Sequence, residues 1–360
     1  MRTETEAWLP RYKGSTLRGA FGNALKRAVC IRRDLNCEIC LVRPSCVYTQ
    51  VFETLPPEGV AAFRGQKVAP HPYVLEPPLE EKQQYAPGEP LTFGLTLIGR
   101  AIDYLPYIIF ALDQAGQKGL GQRRGRFVLE SVAWRDGDGH ERVIYESATQ
   151  RLASGSFSMS AEEWIAHRHA QISSNLESST LSNTAELHAR TTGGESEISN
   201  LQSSHLRLVF LTPVRLQVQG DLQGGISFEL LVRNLLRRMW QLTLVHGGGE
   251  LVLDHRAMIE QARSVMTVRN ELRWLDWERY SNRQQTKMKL GGLVGEVEYG
   301  FAGAAELGAF LPLVILGELL HVGKNTTFGL GKYEIASLRP LTDALALPGC
   351  VPSSERKSAE

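Results

Sequence analysis

The stretch Gly291–Ile335 constrains the fold more than any other part of the chain. An apolar segment between glycines, Gly291-Gly-Leu-Val-Gly-Glu-Val-Glu-Tyr-Gly300, comes first. An apolar run, Phe310-Leu-Pro-Leu-Val-Ile-Leu-Gly-Glu-Leu-Leu-His321, follows it. Next comes a glycine-rich loop, Val322-Gly-Lys-Asn-Thr-Thr-Phe-Gly-Leu-Gly331, which runs into a last strand read as Phe328–Ile335. Pro312 is tolerated in the first turn of a helix and Gly323 suits a helix end, so the middle run reads as a helix over Pro312–His321. Strand, helix, glycine loop and strand follow one another with little spare chain. Gly323, Gly329 and Gly331, mixed with Lys324, Thr326, Thr327, Lys332 and His321, give a backbone that a polyanion can approach closely.

At 360 residues, with 42% hydrophobic and 22% charged side chains, the chain is long enough for two domains of ordinary size. A formal net charge of +1 hides a division. Residues 1–50 and 205–340 are net basic and residues 136–204 net acidic, so polyanion contacts belong to the two ends. No apolar run is long enough to span a bilayer, and the N-terminus lacks the plan of a signal peptide, which points to a cytoplasmic protein without membrane partners.

Leu17, Ala20, Phe21, Ala24, Leu25 and Ala28 recur at helical spacing, with Ser15 or Thr16 available as N-cap and Lys13, Arg18, Lys26 and Arg27 supplying positive charge. Such a basic face is equally the solvated side of a core helix. Cys30, Cys37, Cys40 and Cys46 come next. A Cys-x-x-Cys turn with a thiol on either side completes a tetrahedral four-thiolate site, which suits structural zinc, and an iron–sulfur cluster uses the same ligands. A proline-rich stretch, 51–90, holds a strand at Tyr73–Glu76. Leu91–Ile98 reads as a strand, Asp103–Ala115 as a helix and Phe127–Trp134 as a strand, the last preceded by a glycine-rich loop bearing Arg123, Arg124 and Arg126. Residues 171–204 are dense in Ser and Thr and poor in large apolar groups, the composition of a poorly ordered linker, with a short helix at Ala161–His169.

The C-terminal half opens with a strand, Leu206–Val218. A helix capped by Ser227 follows, carrying Arg233 and Arg237 one turn apart and ending near His246-Gly-Gly-Gly. Glu271–Tyr280 pairs with Gly291–Tyr299 through a basic connection bearing Arg283, Lys287 and Lys289. Trp274, Trp277 and Tyr280 serve there either as core or as stacking platforms. Strand, helix, strand, strand, helix, strand is the ferredoxin-like order, also used by RNA-recognition domains. The expected fold is α+β: two tandem ferredoxin-like domains with a four-cysteine metal knuckle inserted in the first. The boundaries are 1–135, an acidic linker or insertion 136–204, 205–340 and a tail 341–360.

Several strings resemble a known family. They are Tyr12-Lys-Gly-Ser-Thr-Leu-Arg-Gly-Ala-Phe-Gly22, the four cysteines, Phe210-Leu-Thr-Pro-Val-Arg215, Leu272-Arg-Trp-Leu-Asp-Trp-Glu-Arg-Tyr-Ser281, Met288-Lys-Leu-Gly-Gly-Leu-Val-Gly295 and His321-Val-Gly-Lys-Asn-Thr-Thr-Phe-Gly-Leu-Gly-Lys-Tyr333. They are similar to the CRISPR-associated RAMP endoribonucleases that process precursor crRNA, and most to the larger, cysteine-bearing branch. The resemblance implies cleavage of CRISPR repeat RNA without a catalytic metal, by attack of the 2′-hydroxyl, leaving 2′,3′-cyclic phosphate and 5′-hydroxyl ends. The basic residues named above, with Thr326, Thr327, Gly329 and Gly331, then become candidate RNA contacts.

Family members carry a catalytic histidine at or just after the first helix, and Gly14–Cys30 has none. The candidates are His321, His246 and Lys26. Histidine suits acid–base work because its ordinary pKa lies near neutrality. At the mouth of the loop, His321 is also placed to cap the helix carbonyls. The first histidine, His71, lies between prolines with no evident approach to a site. Met1–Trp8 is short and polar where relatives have an apolar strand, as an upstream start codon would explain. Two rival readings are a non-catalytic crRNA-binding subunit of a CRISPR effector complex and a metal-knuckle nucleic-acid-binding regulator.

Overall fold

The computed structural model describes residues 1–32, 34–60, 63–187, 204–218, 221–276, 278–281, 286–289, 291–339 and 350–352. Arg283, Trp277, His188 and most of the tail lie outside them. Side chains are described for neither Lys287, Lys289 nor Tyr280. Among the described residues no helix is long and apolar enough to cross a membrane.

The N-terminal half runs β1 (Arg2–Thr3), β2 (Ala7–Trp8), α1 (Gly14–Val29), α2 (Val47–Phe52), β3 (Tyr73–Glu76), β4 (Gln84–Tyr85), β5 (Gly94–Leu97), α3 (Leu105–Lys118) and β6 (Phe127–Val128). β1 is short, yet it is paired on both sides. It lies antiparallel to β6, and the backbones of Met1 and Thr3 exchange hydrogen bonds with Gly88, Glu89 and Leu91 on the other flank. β3 pairs with β5. The strand neighbours are those of a ferredoxin-like sheet in thin form. α1 and α3 bury Leu17, Phe21, Leu25, Ile108, Ala111 and Ala115 in one core with Tyr73, Leu75, Tyr85 and Phe127. α1 starts at Gly14, two residues earlier than a Ser15 cap would allow, with Lys13 at the cap and no side-chain bond there.

A meander follows: β7 (Ser131–Arg135), β8 (Glu141–Glu146) and β9 (Arg151–Leu152). It leads into α4 (Ala161–Leu187), longer than the short helix expected at Ala161–His169 and helical where 171–187 was read as a poorly ordered linker; the rest of that linker, 188–203, lies outside the described residues. Composition undercounted this segment because a few side chains carry the packing. Ile165 and Ile172 are buried in the C-terminal core with Trp164 against it, and Arg168 makes a two-pronged ion pair with Glu318.

The C-terminal half runs β10 (Ser204–Val214), β11 (Gln217–Val218), β12 (Asp221–Leu222), α5 (Phe228–Leu242), β13 (Gly249–Leu251), α6 (His255–Ala262), β14 (Met266–Asn270), β15 (Arg273–Leu275), β16 (Glu278–Ser281), β17 (Thr286–Lys289), β18 (Gly292–Phe301), α7 (Ala304–Leu320), β19 (Tyr333–Arg339) and β20 (Cys350–Pro352). The main sheet has the order β19-β10-β18-β14, all antiparallel, with β15 also on β18. This is the fourth-first-third-second order of the ferredoxin-like plan. Alternation decides it: Leu206, Leu208 and Phe210 of β10 and Val297, Tyr299 and Phe301 of β18 all point into the core beneath α5 and α7. α7 begins eight residues before Pro312, so the proline is interior. The missing hydrogen bond costs about 3 kcal/mol, which burial of Leu307, Phe310 and Leu311 ahead of it offsets.

Glu318 also accepts from the Ile335 backbone amide, which ties α4, α7 and β19 to one carboxylate. Glu318→Ala leaves Arg168 without its counter-charge and that amide without a partner. It is expected to lower unfolding free energy by about 3 kcal/mol in urea titrations, with Glu318→Gln costing less.

Candidate functional site

The glycine-rich loop is seated on the first turn of α1. Its short turn, Thr326–Phe328, brings the Phe328 carbonyl against Gly14, where a β-carbon would overlap the oxygen. The Tyr12 hydroxyl donates to that same carbonyl at 2.8 Å. Gly331 has φ +73°, and a side chain there would strike the Val322 carbonyl, so only glycine fits. Thr212, at the end of β10, holds the loop from behind: its hydroxyl donates to the Gly329 carbonyl at 2.8 Å and accepts from the Lys332 amide at 2.9 Å.

Arg18, one turn into α1, spans the seam between the halves. Its Nε donates to Thr327 Oγ1 at 3.2 Å, and a terminal nitrogen lies 3.3 Å from His71 Nε2. The guanidinium lies over the rings of Phe328 and Phe52, at 4.7 and 5.3 Å. His71 therefore does reach the seam. Pro70 and Pro72 keep the backbone extended into β3, which lays the ring edge-on to Phe52 and Tyr73. Burial, then the positive charge of Arg18, pushes its pKa down to about 3. Sequence reasoning passed over this residue because its charged partner, Arg18, lies 53 positions away on another element.

The three residues singled out as candidate acids or bases are not brought into one cluster. His321 is 0% exposed. Its Nδ1 faces the Leu330 carbonyl at 3.2 Å, and its Nε2 lies 3.9 Å from Glu76 Oε1. It holds the loop rather than the last helix carbonyls, with φ +57°. Burial lowers its pKa to about 4. His246 is buried at the end of the helical turn after α5. There Nε2 faces the Pro70 carbonyl at 2.8 Å, so that nitrogen carries the proton, and burial lowers its pKa. Lys26 lies at the far end of α1, its ammonium 4.9 Å from the centre of the Tyr48 ring and hydrogen-bonded to Cys37.

Of the candidate RNA contacts, Arg18, Lys324, Thr326, Thr327, Gly329, Gly331 and Lys332 share the seam. Lys324 is exposed, and Lys332 pairs with Glu76 at 2.6 Å. Lys13 is buried, donating to the Glu80 and Arg11 carbonyls. Arg123, Arg124 and Arg126 are exposed on a second loop that packs on β2. Arg27 is exposed on α1. Arg233 and Arg237 are exposed on α5, where Arg233 pairs with Glu229. The open face of the C-terminal sheet engages its polar groups with one another, His205 with Glu298 and Arg207 with Glu296, with Glu334 exposed beside them. That is no stacking platform for bases. Trp274 is 44% exposed, its Nε1 donating to Asp276.

The four cysteines line one cavity of about 10 Å³ with Lys26, Arg43 and Tyr48. Cys30 closes α1 and Cys46 opens α2. Burial raises the Cys37 thiol pKa, and the Lys26 ammonium partly opposes this. The donor set suits a thiolate-bound metal, but no three of the sulfurs lie within 4.8 Å of one another. Among the described residues only Asp136, Asp138 and His140, on a surface turn, form a group that close.

Residues 1–157 match a family model described as an N-terminal domain, and residues 208–333 match that of the CRISPR-associated endoribonuclease Cas6. A protein of Archaeoglobus fulgidus is 23% identical over 91% of this chain and 93% of its own length. Among solved structures, a Thermus thermophilus Cas6 product complex superposes with TM-score 0.50 at 15% identity, covering 92% of this chain and 96% of that one. A partial Cas6-RT-Cas1–Cas2 complex superposes with TM-score 0.49 at 13% identity, over 98% of this chain and 47% of that one. The fold is thus the α+β, tandem ferredoxin-like fold of that Thermus thermophilus Cas6 structure. Over residues 208–333, therefore, the chain carries the domain of the CRISPR-associated endoribonuclease Cas6.

The buried histidines make stability depend on pH. The unfolded chain binds a proton at His321 below about pH 6.5, the folded one only below about 4, so stability is full above the first value and falls toward the second. The loss is on the order of 3 kcal/mol, and His71 adds to it in the same direction. Urea midpoints at pH 7 and pH 4.5 are expected to diverge less in His321→Asn, which tolerates positive φ and keeps a donor for Leu330.

Proposed function

We propose that the protein binds CRISPR repeat RNA across the seam and cleaves it without a catalytic metal, by 2′-hydroxyl attack giving 2′,3′-cyclic phosphate and 5′-hydroxyl ends. The observation that carries this is the glycine loop locked onto the first turn of α1, with Arg18 and Thr327 in contact where the two halves meet. An internal nucleophile needs a base, a proton for the leaving oxygen and a cation for the phosphorane. A placed acid or base is worth about 100- to 10,000-fold. Fixed donors at the developing charge add a further electrostatic contribution.

In this reading Arg18, Lys324, Lys332, Thr326, Thr327 and the backbone at Gly329 and Gly331 meet the phosphates near the cut. Lys13 holds the Glu80 segment beside α1. Arg27, Arg123, Arg124, Arg126, Arg233, Arg237, Arg283, Lys287 and Lys289 follow the strand beyond it. His321 and His246 support the loop and the Pro70 carbonyl from within, and Lys26 serves the thiol site. We keep the domain division 1–135, 136–204, 205–340 and 341–360, with α4 as part of the second domain's packing. End-labelled repeat RNA incubated in excess EDTA, with folding monitored by circular dichroism, should yield cyclic-phosphate ends. RNA left intact, or 3′-hydroxyl products, would overturn the proposal.

A second reading is a non-catalytic crRNA-binding subunit of a CRISPR effector complex. It is favoured by one observation, the engagement of both His321 and His246 with backbone carbonyls. Retained binding without any cleavage would select it.

We further propose that Cys30, Cys37, Cys40 and Cys46 hold a structural zinc ion, four thiolates being also the ligands of an iron–sulfur cluster. The support is their shared cavity at the junction of α1 and α2. Protein purified from zinc-supplemented cells should carry about one zinc per chain. Cys40→Ser should lower both metal content and thermal midpoint, while iron with visible absorbance would identify a cluster instead.

A further inference from the structure

Three histidines from distant parts of the chain stand around the seam, His71 against Arg18, His246 against the Pro70 carbonyl and His321 behind the glycine loop, and their hydrogen-bond partners distinguish them. A general base must offer a ring nitrogen with a free lone pair toward the substrate. His246 Nε2 faces a carbonyl oxygen, so it carries a proton, and the residue is buried. His321 donates from Nδ1 to the Leu330 carbonyl and so keeps its lone pair on Nε2, but it is 0% exposed, which holds that nitrogen away from any substrate. His71 differs from both. Its Nε2 faces a guanidinium N–H, which can only donate, so Nε2 holds the lone pair. The residue keeps partial exposure.

Arg18 is the second observation. Its partners are the hydroxyls of Thr327 and Tyr73, an imidazole and two aromatic rings, and no carboxylate among the described residues pairs with it. A partly buried guanidinium without a counter-charge, in contact with Thr327 of the loop, is a place for an oxyanion, and its planar fork suits phosphate. Phe52 and Tyr73 fix the His71 ring, and the two prolines fix its backbone, so the base would need no reordering when RNA arrives.

Resting on the endoribonuclease reading above, we propose that His71 is the general base of the cleavage and Arg18 the cation that takes the scissile phosphate. His71 Nε2 accepts the 2′-hydroxyl proton as O2′ bonds to phosphorus. The P–O5′ bond then breaks, the departing O5′ takes a proton from water, and the imidazolium returns its own to solvent. Arg18 turns from His71 to the non-bridging oxygens, releasing Nε2 for the hydroxyl. His246 is a positioning residue, since its bond to the Pro70 carbonyl anchors the residue before the base. Burial keeps His71 neutral in the free protein. A phosphate beside it offsets the charge of Arg18 and raises its basicity.

The test uses the full chain, end-labelled repeat RNA and the His71→Ala and His71→Gln variants, each checked for wild-type thermal melting. Cleavage should fall about 100-fold or more in both, with RNA dissociation constants within about threefold of wild type, and added imidazole should restore part of the rate in His71→Ala. Arg18→Met should weaken both binding and cleavage, without rescue by imidazole. Cleavage by either His71 variant at the wild-type rate would overturn the proposal. So would a rate loss matched by an equal affinity loss and unmoved by imidazole. If the wild-type protein leaves the RNA intact, the endoribonuclease reading fails first and this inference with it. If wild type cleaves and the His71 variants do too, only this inference fails.

Discussion

The site depends on one contact, the carbonyl of Phe328 resting where Gly14 has no β-carbon. It joins the loop of one half to the first turn of the leading helix of the other, and Tyr12 reinforces it from the same turn. Without that seat, Arg18 would not reach Thr327, and the His71 segment would face open solvent rather than a wall of aromatic rings. Close approach of backbone to backbone is what glycine permits and any other residue forbids. The seam is therefore specified by a missing atom as much as by those present.

Around the seam, charge is distributed for a purpose that the net value conceals. The outer face of the C-terminal sheet engages its polar groups with one another, and Arg168 is spent on Glu318 inside the fold. Arg18 has no carboxylate among the described residues, and Arg123 and Arg124 lie exposed on a loop of the N-terminal half. A polyanion would find its best-prepared contacts along the junction rather than on the sheet that RNA-recognition domains use for stacking. Buried imidazoles behind the loop belong to the same design, because neutral rings can bond carbonyls there without bringing charge into the interior.

The repeated plan of strand, helix, glycine loop and strand was legible, as were most elements with clean periodicity, such as α5 and β18. Elements decided by a few distant contacts were not. α4 looked like a linker because serine-rich composition outweighed Ile165 and Ile172 in the reading, yet those two side chains and Arg168 pack on a core formed by residues that follow it. α7 was expected to begin at Pro312, since a proline usually marks a helix start, but burial on both sides of it won. β14 was passed over because all of its residues are exposed, and its pairing with β18 is backbone alone.

Sequence by itself determined the fold class, the family resemblance and the identity of the loop, because periodicity and glycine placement are local properties. It also placed four cysteines where a metal could be held. The tertiary structure alone decided which side chains share the site. His71 and Thr327 lie more than 250 positions apart, and no local pattern announces that both touch the guanidinium of Arg18. It also decided that His321, the histidine nearest the loop in sequence, faces inward. The turn that carries it has positive φ, and that backbone setting points its ring at the Leu330 carbonyl instead of at solvent.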